Sequence, residues 1–262
     1  MQNMSVKSIS LHVLSLIFPN RCIFCGRIMS SRHSQIYICS DCAETIVFSD
    51  EISTCRLCGC PLKEGGELCN TCQTHRHFFD QALSCLTYEL AARKSILQYK
   101  FGNRPDFATT FAAMMTHRIR PLCNHYAFNM VLCVPLSENS LLKRGYNQSA
   151  LLAQHIAKDL NIPFVENAFS KIRETPKQSS LHYAERMHNV AHTFALALPK
   201  SVFANKSVLL IDDVLTTGAT ADALSKLLKE AGADLVVVAT VATTEPDRLD
   251  KINSMDWEDI MF

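Results

Sequence analysis

Glycine and proline are scarce, 8 and 9 residues in a chain of 262, and that shortage excludes collagen-like and low-complexity classes. A hydrophobic fraction of 48% against 19% charged residues excludes a disordered tail protein and predicts a globular chain of one or two domains. Charge of one sign is also missing, since 26 Lys and Arg face 25 Asp and Glu. No global field therefore marks nucleic acid or an anionic membrane as a partner, and any such surface must be local. Long apolar runs are absent too. The longest, residues 9–18, is broken by Ser and His and falls short of the roughly 18 apolar residues that a bilayer span requires, so no membrane insertion is expected. No small-residue cleavage site follows that run. Residues 1–20 are therefore read as an amphipathic helix with Ile9, Val13, Leu16 and Ile17 on one face, and the expected location is cytoplasmic.

Cysteine, in contrast, is abundant: of 12 residues, eight form four Cys-x-x-Cys pairs between Cys22 and Cys72. Cys22 and Cys25 precede Cys39 and Cys42, and Cys55 and Cys58 precede Cys69 and Cys72. A Cys-x-x-Cys turn presents two thiolates on one side of a tight knuckle, and two knuckles complete the four-thiolate shell of structural Zn2+. Two zinc ribbons in tandem are the reading for residues 21–78, holding one or two Zn2+, with the pairing of knuckles left open because ribbons can interleave. Disulfides are the alternative, but no secretion signal supports an oxidising compartment. Residues 1–79 carry seven Lys and Arg against six acids, so eight thiolates and two zinc ions bring the module to about −3. A nucleic-acid-binding finger is normally basic, and the module is therefore read as a scaffold or a protein-docking surface.

From about residue 79 to 244, apolar β-branched runs alternate with helical patterns, which predicts an α/β domain with an open, mostly parallel sheet. Residues 130–134, 207–211 and 235–241 read as buried strands, and residues 147–160 and 221–231 as helices, the second stopped by Gly232. Residues 245–262 form an acidic tail with six acids and two bases. It reads as a terminal helix or a frayed end, with docking of a partner as the alternative.

The most informative segment is the strand that ends in Asp212 and Asp213 and continues into Thr216, Thr217, Gly218, Ala219 and Thr220 ahead of a helix. At the carboxyl end of a strand in an open sheet, these side chains and amides face the ligand crevice, and the helix N-terminus favours an anion. Three threonine hydroxyls and a glycine suit a phosphate. Two acids beside it would repel it unless they meet sugar hydroxyls or a divalent cation, so the loop is read as a site for a phosphorylated ribose. The metal-binding strand of an ATPase is excluded by the lack of any Gly-x4-Gly-Lys-Ser/Thr.

This loop resembles the phosphoribosyl pyrophosphate (PRPP) signature of type I phosphoribosyltransferases, and the whole chain resembles the ComF family. The likeness runs through the apolar stretch into Phe18, Pro19, Arg21 and Cys22, the double zinc ribbon, Lys100-Phe101-Gly102 and Arg144-Gly145-Tyr146-Asn147-Gln148. It continues through Arg173, Gln178, Leu181 and Arg186 to the PRPP loop. It implies a type I phosphoribosyltransferase fold, PRPP held with Mg2+ by residues 212–220, and Lys100, Arg144, Gly145, Tyr146, Asn147, Gln148, Arg173, Gln178 and Arg186 as pyrophosphate or pocket residues. Arg144 is suited to a bidentate contact with pyrophosphate, and Asn147 or Gln148 to holding a ligand edge. It also implies natural transformation, the handling of incoming single-stranded DNA alongside competence or recombination proteins. The alternatives are an active transferase acting on a nucleobase or amine acceptor, or a role associated with gluconate uptake. No acceptor pocket or general base is marked in the sequence.

Residues 93–120 contain six Lys and Arg and one acid, interspersed with Tyr99, Phe101, Phe107 and Phe111. Arg93, Lys94, Lys100 and Arg104 are the candidates for a single-stranded DNA surface with aromatic stacking. Core aromatics flanked by solvated bases are the competing reading. His182, His188 and His192 are assigned no role, because only the last two share a helical face and no third ligand accompanies them.

Overall fold

The computed structural model describes residues 19–29, 35–62, 65–172 and 193–244. The expected N-terminal helix, apart from residues 19 and 20, and the acidic tail lie outside them.

Residues 19–79 contain the same small unit twice. In the first, the Cys22 amide donates to Arg27 O and the Gly26 amide to Cys22 O, closing a knuckle bridged by Arg21 and Ile28. In the second, the Cys55 amide donates to Cys60 O and the Gly59 amide to Cys55 O, with a bridge between Thr54 and Pro61. Each unit then enters a short helix, α1 (Ser40–Thr45) or α2 (Asn70–Thr74), whose N-cap is the third cysteine, Cys39 or Cys69. The repeated knuckle and cap bring Cys22, Cys25, Cys39 and Cys42 into one tetrad and Cys55, Cys58, Cys69 and Cys72 into another, so consecutive knuckles pair and the ribbons do not interleave.

The remainder is an α/β domain. In chain order it contains β1 (Gln81–Thr87), α3 (Leu90–Phe101), α4 (Phe107–Ile119), β2 (Met130–Cys133), α5 (Glu138–Arg144), α6 (Gln148–Leu160) and β3 (Phe164–Val165). There follow β4 (Phe169–Lys171), β5 (Phe194–Leu196), β6 (Ser207–Leu215), α7 (Ala219–Glu230) and β7 (Leu235–Thr243). Five strands form a parallel sheet in the order β1-β7-β6-β2-β3, as expected of an open α/β fold. β4 and β5 make a separate antiparallel pair.

The central strand explains the run Val208, Leu209, Leu210, Ile211. It is flanked by β7 and β2 and covered on both faces, so four consecutive apolar residues are each 0% exposed. One face carries α3, α4 and α6 through Ile96, Phe111, Met115, Leu152 and Ile156; the other carries α7 through Leu224 and Leu228. β1 was not singled out in the sequence because Ser84 and Thr87 interrupt its apolar pattern. Both are buried, and Ser84 is satisfied across the sheet by Thr240 at 2.7 Å.

The ribbons cover the β1 edge of this sheet. Ser49 donates to Cys85 O, Thr87 to Val47 O and Ala82 to Leu57 O, while the Ser95 hydroxyl donates to Ile23 O at 2.6 Å. An open strand edge would template association with another chain, and here the module with the two cysteine tetrads closes it.

Candidate functional site

β2 ends at Cys133, while β6 runs on to Leu215 beside β7. Beyond Ile211 the β2 side of the central strand is thus open, and Asp212 and Asp213 project at that gap. A cleft of about 180 Å3 forms there, lined by both aspartates, Lys100, Arg144, Asn147, Gln148, Ser149 and Thr220, with Lys171, Thr193 and Phe194 from the β4 and β5 pair. Residues from well-separated sequence segments therefore converge on the end of one strand, the place where open α/β sheets bind ligands.

The two carboxylates are not equivalent. Asp213, 8% exposed, pairs with Lys100 Nζ at 2.7 Å. Asp212 accepts from the Ser149 hydroxyl at 2.9 Å and from the Asp213 amide at 2.8 Å. Burial, and then the neighbouring Asp213 charge, push the Asp212 carboxyl up to about 7, against the opposing pull of Lys100. For Lys100 itself burial is the largest influence and acts downward, but Asp213, Tyr88 and Asp212 together outweigh it and hold the ammonium above its ordinary value. Both aspartates thus already have protein partners at Oδ1.

The loop beyond them is different. The Thr217 hydroxyl accepts from the Ala219 amide at 3.3 Å, and the Asp222 amide donates to Gly218 O. Among the described residues no hydrogen bond engages the amides of Thr216, Thr217, Gly218 or Thr220. Gly218 stands at the N-cap of α7 with φ +76°, a left-handed conformation that disfavours any side chain. The sequence reading gave this glycine to close approach by a phosphate; its backbone angle is a sufficient reason on its own. The result is a short row of unpaired donors at a helix N-terminus, a fit for an anion.

Across the cleft, α5 ends in Arg144 and Gly145. Gly145 has φ +79° and its amide donates to Leu141 O, the left-handed helix stop that its position requires. Arg144 lies 4.5 Å over the Phe101 ring and donates to Gln148 Oε1 at 2.9 Å. No carboxylate pairs with it among the described residues, and desolvation pulls its pKa down, as for a cation held in readiness for an anion. Gln148 also reaches Lys100 O at 3.4 Å, tying Arg144 and Lys100 into one wall.

Asn147 and Tyr146 also make structural contacts. Asn147 caps α6, accepting from the Ser149 and Ala150 amides and donating to Val134 O, and it lines the cleft. The Tyr146 hydroxyl donates to Tyr99 O, and its ring lines an adjoining cavity of about 490 Å3. Arg173, Gln178, Arg186 and the three histidines at 182, 188 and 192 lie outside the described residues. Ser149 was not singled out in the sequence; its place just inside the helix that follows Arg144-Gly145-Tyr146-Asn147-Gln148 was the available signal.

The stacking surface expected over residues 93–120 is not formed. Tyr99, Phe107 and Phe111 are 0%, 2% and 0% exposed and belong to the core, because α3 and α4 turn these rings onto the sheet; only Phe101 stays half-exposed. Of the four candidate bases, Lys100 is engaged by Asp213 and Arg104 by Asp106 at 2.7 Å, while Arg93 and Lys94 lie on α3 outside the cleft lining.

In the tetrads, Cys25 and Cys39 sulfurs lie 3.6 Å apart and those of Cys58 and Cys69 3.7 Å apart, with no disulfide among the described residues. A tetrahedron with Zn–S of about 2.3 Å has edges of about 3.8 Å. Both tetrads therefore fit structural zinc.

Comparison with known proteins agrees with this architecture. Residues 13–73 match a double zinc ribbon domain and residues 146–259 a phosphoribosyl transferase domain. The chain is thus a phosphoribosyltransferase-fold protein with an N-terminal double zinc ribbon. It is 29% identical to competence protein F of Haemophilus influenzae over 84% of this chain and 96% of that one. It is 28% identical to competence protein ComFC of Streptococcus pneumoniae over 81% and 95%, and 26% identical to the DNA utilization protein YhgH of Escherichia coli K12 over 87% and 99%. In this domain pair, and along most of its length, the chain is similar to these competence and DNA utilization proteins. Solved adenine phosphoribosyltransferases such as that of Leishmania tarentolae overlap 57% of this chain and 77% of theirs at 18% identity and a TM-score of 0.35, a likeness too slight to carry an argument.

Proposed function

We propose that the cleft binds PRPP with Mg2+, that both cysteine tetrads hold structural zinc, and that the protein serves the handling of incoming single-stranded DNA in natural transformation. The carrying observation for PRPP is the set of unengaged amides of Thr216, Thr217, Gly218 and Thr220 that follows two carboxylates at the open end of β6. The amides and the helix N-terminus take the 5′-phosphate, and Asp212 and Asp213 take the ribose hydroxyls. Arg144 and Lys100, the latter exchanging Asp213 for the ligand, meet the pyrophosphate. Mg2+, when bound with the ligand, supplies charge neutralisation for that pyrophosphate. The DNA role is supported by the names of the relatives, competence protein and DNA utilization protein, and receives no support from aromatic stacking on α3 and α4.

An active transferase is the second reading, favoured by the adjoining cavity of about 490 Å3, which shares Pro135, Leu136, Asn147 and Lys171 with the cleft and has room for an acceptor. Isothermal titration with PRPP and Mg2+, repeated in the presence of single-stranded DNA, tests both binding and coupling. Saturable binding is expected, and absence of heat at high ligand concentration overturns the PRPP assignment. Pyrophosphate release on adding a nucleobase or amine, lost in Asp212→Ala and Asp213→Ala, is the result that makes the protein an enzyme.

A further inference from the structure

Two histidines between the second tetrad and β1 belong to neither the ribbons nor the cleft. His75 and His77 both turn toward Asp222, in the first turn of α7: His77 Nδ1 lies 3.4 Å from Oδ1 and His75 Nε2 3.8 Å from Oδ2. One donor atom from each of the three residues falls within 4.8 Å of the others. The His77 and Asp222 side chains are only 2% and 4% exposed, whereas that of His75 is 38% exposed.

The cluster is rigidly held. His77 stacks on Phe79 at 4.5 Å and meets the edge of His75 at 5.0 Å. Asp222 is fixed by the Phe78 amide, which donates to Oδ1 at 2.6 Å. Yet the buried Nδ1 of His77 makes no hydrogen bond, a deficiency that is costly for a polar atom withdrawn from water. An orphan imidazole nitrogen aimed at a buried carboxylate is the arrangement that a cation between them would complete.

We propose that His75, His77 and Asp222 form a third metal site, separate from both cysteine tetrads, that takes a divalent transition cation of the zinc class. Two imidazoles set it apart from a Mg2+ or Ca2+ site, which is built from oxygen. The observed separations are near the edge of about 3.3 Å in a tetrahedron with Zn–N and Zn–O of about 2.0–2.1 Å. Three protein donors leave a fourth position for water, and the exposed flank of His75 gives the ion a route in. The site joins the linker that leaves the ribbons to the helix that begins at the PRPP-type loop. A Cβ built at Gly218 would lie 3.7 Å from His77 Cε1 and 3.8 Å from Phe79, so the loop rests directly on this cluster. The metal thus acts as a staple between module and loop, and its existence does not depend on what the cleft binds.

The test uses the full chain with its tetrads already loaded, dialysed against buffered free Zn2+ and assayed for metal by mass spectrometry. The wild type is expected to hold a third equivalent beyond the two of the tetrads, and His77→Ala and the part-exposed His75→Gln to lose that equivalent alone. Co2+ bound there should add d–d absorption without a thiolate-to-metal charge-transfer band. Saturation of the wild type at two equivalents overturns the site, as does retention of a third equivalent in His75→Gln together with His77→Ala. If His77→Ala fails to fold, His75→Gln decides: loss of the third equivalent supports the site and its retention overturns it.

Discussion

Residues 19–79 offer two cysteine tetrads, helices of six and five residues and two isolated bridges of their own, whereas residues 81–244 offer a five-stranded sheet whose central strand is 0% exposed from Val208 to Ile211. The first region has too little apolar surface to fold by burial and is specified by ligand spacing; the second is specified by apolar pattern. Position-sensitive chemistry therefore rules the ribbons, and volume-sensitive packing rules the sheet.

The largest effect should come from metal. A structural zinc site contributes on the order of 10 kcal/mol to folding, so Cys55→Ser is expected to abolish amide protection around the second tetrad, and chelation to abolish it through residues 19–79. Chelation should also raise exchange in β1, whose edge the ribbons cover, and leave β6 protected. Hydrogen exchange by mass spectrometry checks this, and protection lost evenly through the sheet would break the distinction between the two regions.

Next is the core. Leu209→Ala, at a site 0% exposed, should cost about 2–5 kcal/mol in denaturant unfolding while zinc content stays unchanged. Smaller is the cleft pair. Asp213→Asn or Lys100→Met leaves one charge of a part-buried ion pair without its partner and should cost about 1–3 kcal/mol, with the double variant recovering part of the loss in a mutant cycle.

Last is a pH dependence. The unfolded Asp212 carboxyl titrates near 3.8 and the folded one near 7, so between these values the native state holds a proton that the unfolded chain has released. Stability from this site is full below 3.8 and is lost as pH rises through 7. Asp212→Asn, which cannot ionise, should therefore melt higher than the wild type at pH 8. It should melt at the same temperature near pH 4, and thermal scans across that range measure the difference.

The comparison also explains what could be read in advance. Ligand spacing is local, so the four Cys-x-x-Cys pairs announced both tetrads; the run 208–211 and the stop at Gly232 announced β6 and the end of α7 for the same reason. What stayed hidden depends on partners far along the chain. Ser84 is a strand residue only because Thr240 satisfies it, Ser149 is a site residue only because β6 brings Asp212 to it, and Asp222 meets His77 across 145 positions of sequence. Tyr99, Phe107 and Phe111 looked like a stacking surface beside basic residues, and helical packing buried them.

The central claim is that the turn after Asp213 receives a sugar phosphate on its own amides. Backbone amide NMR during titration with ribose 5-phosphate addresses it most directly. The account predicts saturable shifts concentrated at Thr216, Thr217, Gly218 and Thr220, with smaller ones at Asp212 and Asp213. Shifts that appear elsewhere, or none at saturating ligand, would contradict it.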